Sequence, residues 1–257
     1  MIPSAVVKAF HDTAQLKRSD LFSNAVLTPI TAPADAETAA PGWVGAEWNR
    51  GTLLVGINPG GGGDSYKRNP TDDLLYGALR TFRDAVGEEA QARAFRSESN
   101  IWSGLQQGHN IWRIIGPIAN ATGESVTQLA FMNILPFRTR MDAIAPAETL
   151  QTAWRLSAQP QIVALRPKRV IALGAKAWKI LSRFDLPRDT ELVQFKRGIG
   201  DSYIPIESQV VLAKLAAGST ETALAATFAR EAFFRSCGSR YRFLSRIDLG
   251  VTSTISS

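Results

Sequence analysis

The sequence predicts an α/β fold, a three-layer α/β/α sandwich around a central four-stranded parallel sheet. Three observations lead there. Short apolar runs, each ended by glycine, proline or asparagine, alternate with stretches whose apolar residues recur at helical spacing. The runs are apolar almost throughout, as strands covered on both faces must be. The chain has 257 residues, 45% of them hydrophobic, enough for one large domain with a full core.

The elements follow in order. Residues 5–18 have helical periodicity, and residues 28–42, "TPITAPADAETAAPG", form a Pro/Ala-rich loop. "TLLVGI" (52–57) is the first strand, stopped by Asn58-Pro59-Gly60. A helix spans 72–86, with Leu74, Leu75, Ala78, Leu79, Phe82, Ala85 and Val86 recurring at helical spacing, acids in its first turn and Gly87 after its end. Residues 110–123 form a second such helix, in which Pro117 introduces a kink. "QLAFMNI" (128–134) is the second strand, and a helix starts near Pro146. "RVIALG" (169–174) is the third strand, followed by the helix "AKAWKILSRF". "LVQFKRG" and "SYIPI" suggest a hairpin. "QVVLAKL" (209–215) is expected to be the fourth strand and residues 220–234 a closing helix. No repeat or linker divides the chain. One domain over 1–257 is expected, with 1–50 as an N-terminal extension and 236–257 as a basic tail without fixed structure.

Composition narrows the function. The single cysteine, Cys237, cannot close an internal disulfide, nor can it hold a zinc ion or an iron–sulfur cluster by itself. No metal and no cofactor are expected, and a cytoplasmic location fits. Residues 1–20 have no long apolar core, so no signal peptide is expected. No run approaches the ~20 apolar residues of a membrane helix, so no membrane partner is expected. A monomer is expected. The net charge of +6 favours a polyanionic partner. From Arg230 onward five arginines stand against two acids, either a solvated helix face or a phosphate-contacting surface.

In open α/β sheets ligands bind beyond the carboxyl ends of the strands. "NPGGGG", "NILPFRTR", "GAKAW" and "AAGST" should gather there. The glycine run is no P-loop, since no Gly-Lys-Ser/Thr follows it, and it does not fit G-x-G-x-x-G. Its glycines leave backbone amides free to donate. Asn58 is not a base, but its amide can hold a water or a substrate edge. Asn133 puts a second amide in an apolar strand. It is either a buried amide satisfied by backbone or a reader of a base edge. Phe137 and Tyr66 either stack on a ring or simply pack. Arg138 and Arg140 could reach phosphates.

"LLVGINPG" resembles the first motif of the uracil-DNA glycosylase superfamily, closest to its mismatch-specific and single-strand-selective branches. "FMNILPF" is similar to the second-strand motif, in which proline follows asparagine by three residues. "RPKRVIALGAKAWKIL" is similar to the third strand and helix. "VVLAKLAAGSTETALAATFAREAF" is loosely similar to the last strand, loop and helix. The resemblance spans about residues 50–235. It implies a uracil-DNA-glycosylase-like fold and a DNA glycosylase that hydrolyses the N-glycosidic bond of uracil or a related damaged or mismatched base in a DNA partner. It implies that Asn58 holds the catalytic water. Gly56, Ile57, Pro59, Gly60 and Gly61 would shape the base pocket, Asn133 would read the base edge, and Ser219 would touch a phosphate. The family's His-Pro-Ser reads Ala217-Gly218-Ser219 here, and no histidine follows His109. A catalytically weak base-binding protein of the same fold and a small nucleoside or nucleotide hydrolase are the alternatives. His11 and His109 are not taken as catalytic.

Overall fold

The structure is a computed structural model and describes residues 2–23, 26–60, 70–198 and 203–218. The glycine-run positions from Gly61, together with Tyr66, Ser219, the closing helix at 220–234 and the arginine-rich tail, lie outside the described residues.

The elements are α1 (Ser4–Ala14), α2 (Pro33–Ala36), β1 (Trp43–Val44), β2 (Thr52–Gly56), α3 (Pro70–Arg83), α4 (Glu88–Gln106) and α5 (Trp112–Thr122). Then come β3 (Ala130–Asn133), α6 (Ala147–Ala153), α7 (Gln159–Leu165), β4 (Arg169–Leu173), α8 (Ala175–Leu181), β5 (Glu191–Phe195) and α9 (206–218). A single π-helical turn, Trp154–Ala158, joins α6 to α7 just ahead of Pro160. Proline has no N–H for the regular ladder, and the wider turn accommodates that loss.

The sheet order is β1-β3-β2-β4-β5. β3, β2, β4 and β5 are mutually parallel, and β1 pairs with β3 antiparallel. The fold is therefore α/β on a five-stranded mixed sheet, rather than the purely parallel four-stranded sheet expected. The strand alternation feeds two cores. Leu53, Val55, Ala130, Met132, Val170 and Ala172 pack against α1, α7 and α8. Leu54, Phe131, Ile171 and Leu173 pack against α3, α4, α5 and α9. Continuous apolar strands thus bury both faces, as parallel strands under helices require.

Two expectations are corrected. Residues 209–215 are not a strand; they lie within α9. Ser208 and Leu215 are buried and Val211 and Leu212 half-buried, a spacing of three and four that belongs to a helix. Pro205 opens this helix, and its carbonyl accepts from the Ser208 and Gln209 N–H groups. The fourth parallel strand is instead β5, taken as one arm of a hairpin with "SYIPI". Among the described residues, 203–206 form no strand, and β5 pairs in register with β4, from Arg169 opposite Glu191 to Leu173 opposite Phe195.

Residues 1–50 contribute to both cores. Val6, Val7, Phe10 and Ala14 enter one core, and Trp43 enters the other from the sheet edge. The unpredicted α4 carries Phe95 and Trp102 into the two cores. Gly87, expected to close α3, stands at the start of α4 with φ +85°.

Candidate functional site

The carboxyl edge of β2 and β3 holds the two amides that the sequence singles out. β2 moves to β3 on one side and β4 lies on the other, so the loop after β2 leaves at the point where the winding direction changes. Ligands of open α/β sheets bind at such a point. Asn58, half-buried, stands two residues past the end of β2. Asn133 is the last residue of β3, paired with Gly56.

Gly56 and Asn133 fit together because Gly56 has no side chain. A Cβ there would overlap the Asn133 Oδ1. The pairing continues past the strands, with the Ile134 N–H donating to the Gly56 carbonyl at 3.1 Å and the Leu135 N–H to the Ile57 carbonyl at 2.9 Å. Asn133 is 2% exposed. The expected alternative, an amide satisfied by backbone, is not what forms: among the described residues no hydrogen bond reaches its side chain. With no side-chain partner among the described residues, the amide is left to bond water or a ligand.

Asn58, by contrast, is held. Its Nδ2 donates to Thr139 Oγ1 at 2.8 Å, and Thr139 Oγ1 donates to the Ala143 carbonyl at 2.7 Å. Thr139 is fully buried. Pro59, next in chain, is buried, and Gly60 is exposed with open space where a Cβ would stand. Ile57 packs beneath, touching two of the apolar clusters.

The segment after β3 is anchored residue by residue. Phe137 is completely buried, with its ring edge-on to Phe22 at 6.4 Å. It is a packing residue with no face left for a base. Arg138 is 9% exposed and forms a two-pronged ion pair with Asp72, at 3.0 and 2.8 Å. Its guanidinium sits over the Tyr76 ring, 4.8 Å from the centroid. Burial is the largest influence and opposes that charge, but the Asp72 carboxylate, together with Tyr76 and Asp35, more than offsets it and raises the Arg138 pKa. The role of phosphate contact expected for Arg138 is thus taken by an internal carboxylate. Burial also pushes the Tyr76 hydroxyl up to about 12, against the opposing pull of Arg138. A second ion pair, Arg80 with Asp35 at 2.8 Å, completes this buried polar layer between α3, α2 and the loop after β3.

Cations at the same edge remain in water. Arg140 follows β3, Lys176 follows β4, and Lys196 and Arg197 follow β5; all four are exposed. Lys196 is paired with Glu207 at 3.0 Å. His11 plays another part. His11 Nε2 lies 3.1 Å from the Arg83 carbonyl and its ring is edge-on to Phe82, a helix-packing contact.

The structure therefore brings Asn58, Asn133, Gly56, Ile57, Pro59 and Gly60 to one edge. It withdraws Phe137 and Arg138 into the interior and leaves Arg140 outside. The sequence reading missed Thr139 and Asp72. Asp72 was visible only as a first-turn acid, and nothing in its spacing pointed 66 residues ahead to Arg138. Among the described residues no cluster of histidine, cysteine or carboxylate side chains could hold a metal ion. No described helix is long and apolar enough to cross a membrane. In comparisons with known proteins, no family model matches this sequence and no curated protein is significantly similar to it.

Proposed function

We propose that this protein is a DNA glycosylase with a uracil-DNA-glycosylase-like fold, hydrolysing the N-glycosidic bond of uracil or a related damaged or mismatched base. The observation that carries this reading is the pair of amides at one sheet edge. One is held by a buried hydroxyl, and the other makes no side-chain hydrogen bond among the described residues. The strand order of the four parallel strands and the resemblance of "LLVGINPG" and "FMNILPF" support it.

The base leaves the helical stack and enters the edge between β2 and β3, at a cost of a few kcal/mol. Asn133 meets its hydrogen-bonding edge with a donor and an acceptor. The C1′–N bond breaks and its electron pair leaves with the base as an anion. Backbone N–H groups near Gly60 and the Asn133 amide stabilise that anion. Asn58 holds a water whose oxygen bonds to C1′; that water loses one proton to solvent or to the departing base. The exposed Arg140, Lys176 and Arg197 attract the phosphates.

A second reading is a base-binding protein without cleavage. It is favoured by Ala217 and Gly218, which lie within helix α9 instead of following a strand, and which bring no histidine to the leaving group. One assay decides. Single- and double-stranded oligonucleotides carrying uracil, hypoxanthine or a mismatch are incubated with the protein, and abasic sites are sought by alkaline cleavage. Glycosylase activity yields abasic product. Binding without product selects the second reading, and neither binding nor product removes DNA as the partner and leaves a nucleoside or nucleotide hydrolase.

A further inference from the structure

We infer that Thr139 is the residue that sets the orientation of Asn58, so that the Asn58 carbonyl oxygen, and not its NH2 group, faces the reacting centre. This rests on the glycosylase reading for its catalytic meaning, but the geometry stands without it.

A hydroxyl has one proton to give. Thr139 gives its own to the Ala143 carbonyl, which can only accept. The same Oγ1 lies 2.8 Å from the Asn58 side chain. With its proton committed, Thr139 can only accept from Asn58. The group that Asn58 turns toward it must then be the NH2. The two ends of an amide are ordinarily hard to tell apart, but here hydrogen-bond chemistry decides between them. The Asn58 Oδ1 is left facing away, as an acceptor. An acceptor takes a proton of a bound water and turns that water's lone pair toward an electrophilic carbon. The opposite orientation would offer the water a donor and occupy the lone pair needed for attack.

Thr139 is fitted to this task because it cannot follow Asn58 if Asn58 moves. Phe137 before it is locked in the core. Arg138 beside it is clamped by Asp72, and the Arg138 carbonyl accepts from Arg18 Nη1 at 2.9 Å. The hydroxyl is therefore placed in advance of any ligand, and Asn58 needs little reorganisation during the reaction.

The test compares Thr139→Val, which keeps the shape and removes the hydroxyl, with Thr139→Ser, which keeps the hydroxyl. Single-turnover cleavage of the best oligonucleotide substrate is measured beside affinity for an oligonucleotide with a tetrahydrofuran abasic analogue. Thr139→Val should slow cleavage by about 100-fold, the usual penalty of a small misplacement, while affinity changes little. Thr139→Ser should recover most of the rate. Thr139→Val added to Asn58→Ala should slow it no further, since the threonine acts through the asparagine. Wild-type cleavage by Thr139→Val, or a further loss in the double variant, would overturn the inference. The side-chain NH2 signal of Asn58, identified by its loss in Asn58→Ala, gives a readout independent of activity. It should move in Thr139→Val and stay in Thr139→Ser. An unmoved signal in Thr139→Val overturns the positioning role. A moved signal in a protein that cleaves nothing supports the positioning and rejects the glycosylase reading.

Discussion

Asn58 and Asn133 are the same residue type in opposite physical situations. Asn58 is half-buried and its NH2 is bonded to Thr139; Asn133 is buried and its amide makes no side-chain hydrogen bond among the described residues. This difference separates their roles. A group that positions the attacking water contributes in the transition state and little in the ground state. Asn58→Ala should therefore lower cleavage of a uracil-containing oligonucleotide by about 10²–10³-fold, the scale of one lost preorganised polar contact, with the dissociation constant nearly unchanged. A group that meets the base edge acts in both states, so Asn133→Ala should weaken binding and cleavage together. The same substitution breaks no side-chain hydrogen bond among the described residues, so its melting temperature should fall less than a core truncation would make it fall. Equal effects of the two variants on rate and affinity would remove the distinction.

At the scale of elements, two buried charged or polar groups decide how helices are held. Asp72 ties the first turn of α3 to the loop after β3 through Arg138, with both side chains largely out of water. Removing one partner strands the other. Asp72→Ala should cost about 3–5 kcal/mol, read as a lower denaturant midpoint in urea. Replacing both, with Asp72→Leu and Arg138→Met, should return most of that loss. Glu98 on α4 is wholly buried, and among the described residues its one side-chain bond is the 3.3 Å contact donated by Ser99 Oγ. Burial pushes its carboxyl well above the ordinary range, with the Ser99 bond opposing. The folded protein then holds a proton that the unfolded chain releases above about pH 4.3. With the folded pKa raised, the stability from this group is complete below the unfolded value and is lost as pH rises toward the folded one. Glu98→Gln keeps an acceptor for Ser99 and needs no proton. It should flatten the decline of melting temperature between pH 5 and pH 8, by about 2–4 °C for each kcal/mol gained at pH 8. A variant and wild type with the same pH profile would show that Glu98 is not buried in solution.

At the scale of the whole molecule, the charge and the sheet edge act together. The chain carries a net +6, and exposed cations follow the carboxyl ends of three parallel strands. If a nucleic acid backbone lies across this edge, each neutralised phosphate adds about −0.9 to the slope of log affinity against log salt for duplex DNA and about −0.7 for single strands. Affinity for an oligonucleotide should fall steeply between about 50 and 200 mM salt, and Arg140→Ala should reduce the slope by about one phosphate. Arg138→Ala should instead lower stability, because that cation is spent on Asp72. A flat salt response would point to a small, weakly charged ligand.

The α/β class, strands β2, β3 and β4 and the positions of Asn58 and Asn133 could all be read from the sequence. Their signals are local: an apolar run closed by Asn-Pro-Gly, and helical periodicity between such runs. The C-terminal part was misread for an equally physical reason. "QVVLAKL" is short and apolar, and a short apolar run fits a buried strand and a buried helix alike. Only the packing of Leu215 against Phe195 and its neighbours, with Ser208 donating to the Lys196 carbonyl at 2.9 Å, selects the helix. β1, two residues long, carries almost no signal of its own and is a strand because β3 offers it an edge. The fates of the polar residues after β3 were likewise tertiary decisions. Arg138 and Arg140 are alike in sequence, yet one meets Asp72 across 66 residues and is buried, and the other meets water. Sequence by itself determined which residues can form strands, helices and amide-bearing loops, because those depend on neighbours along the chain. The tertiary structure decided which of those groups are spent on the fold and which are left for a ligand, because that depends on partners the chain brings together only when it is folded.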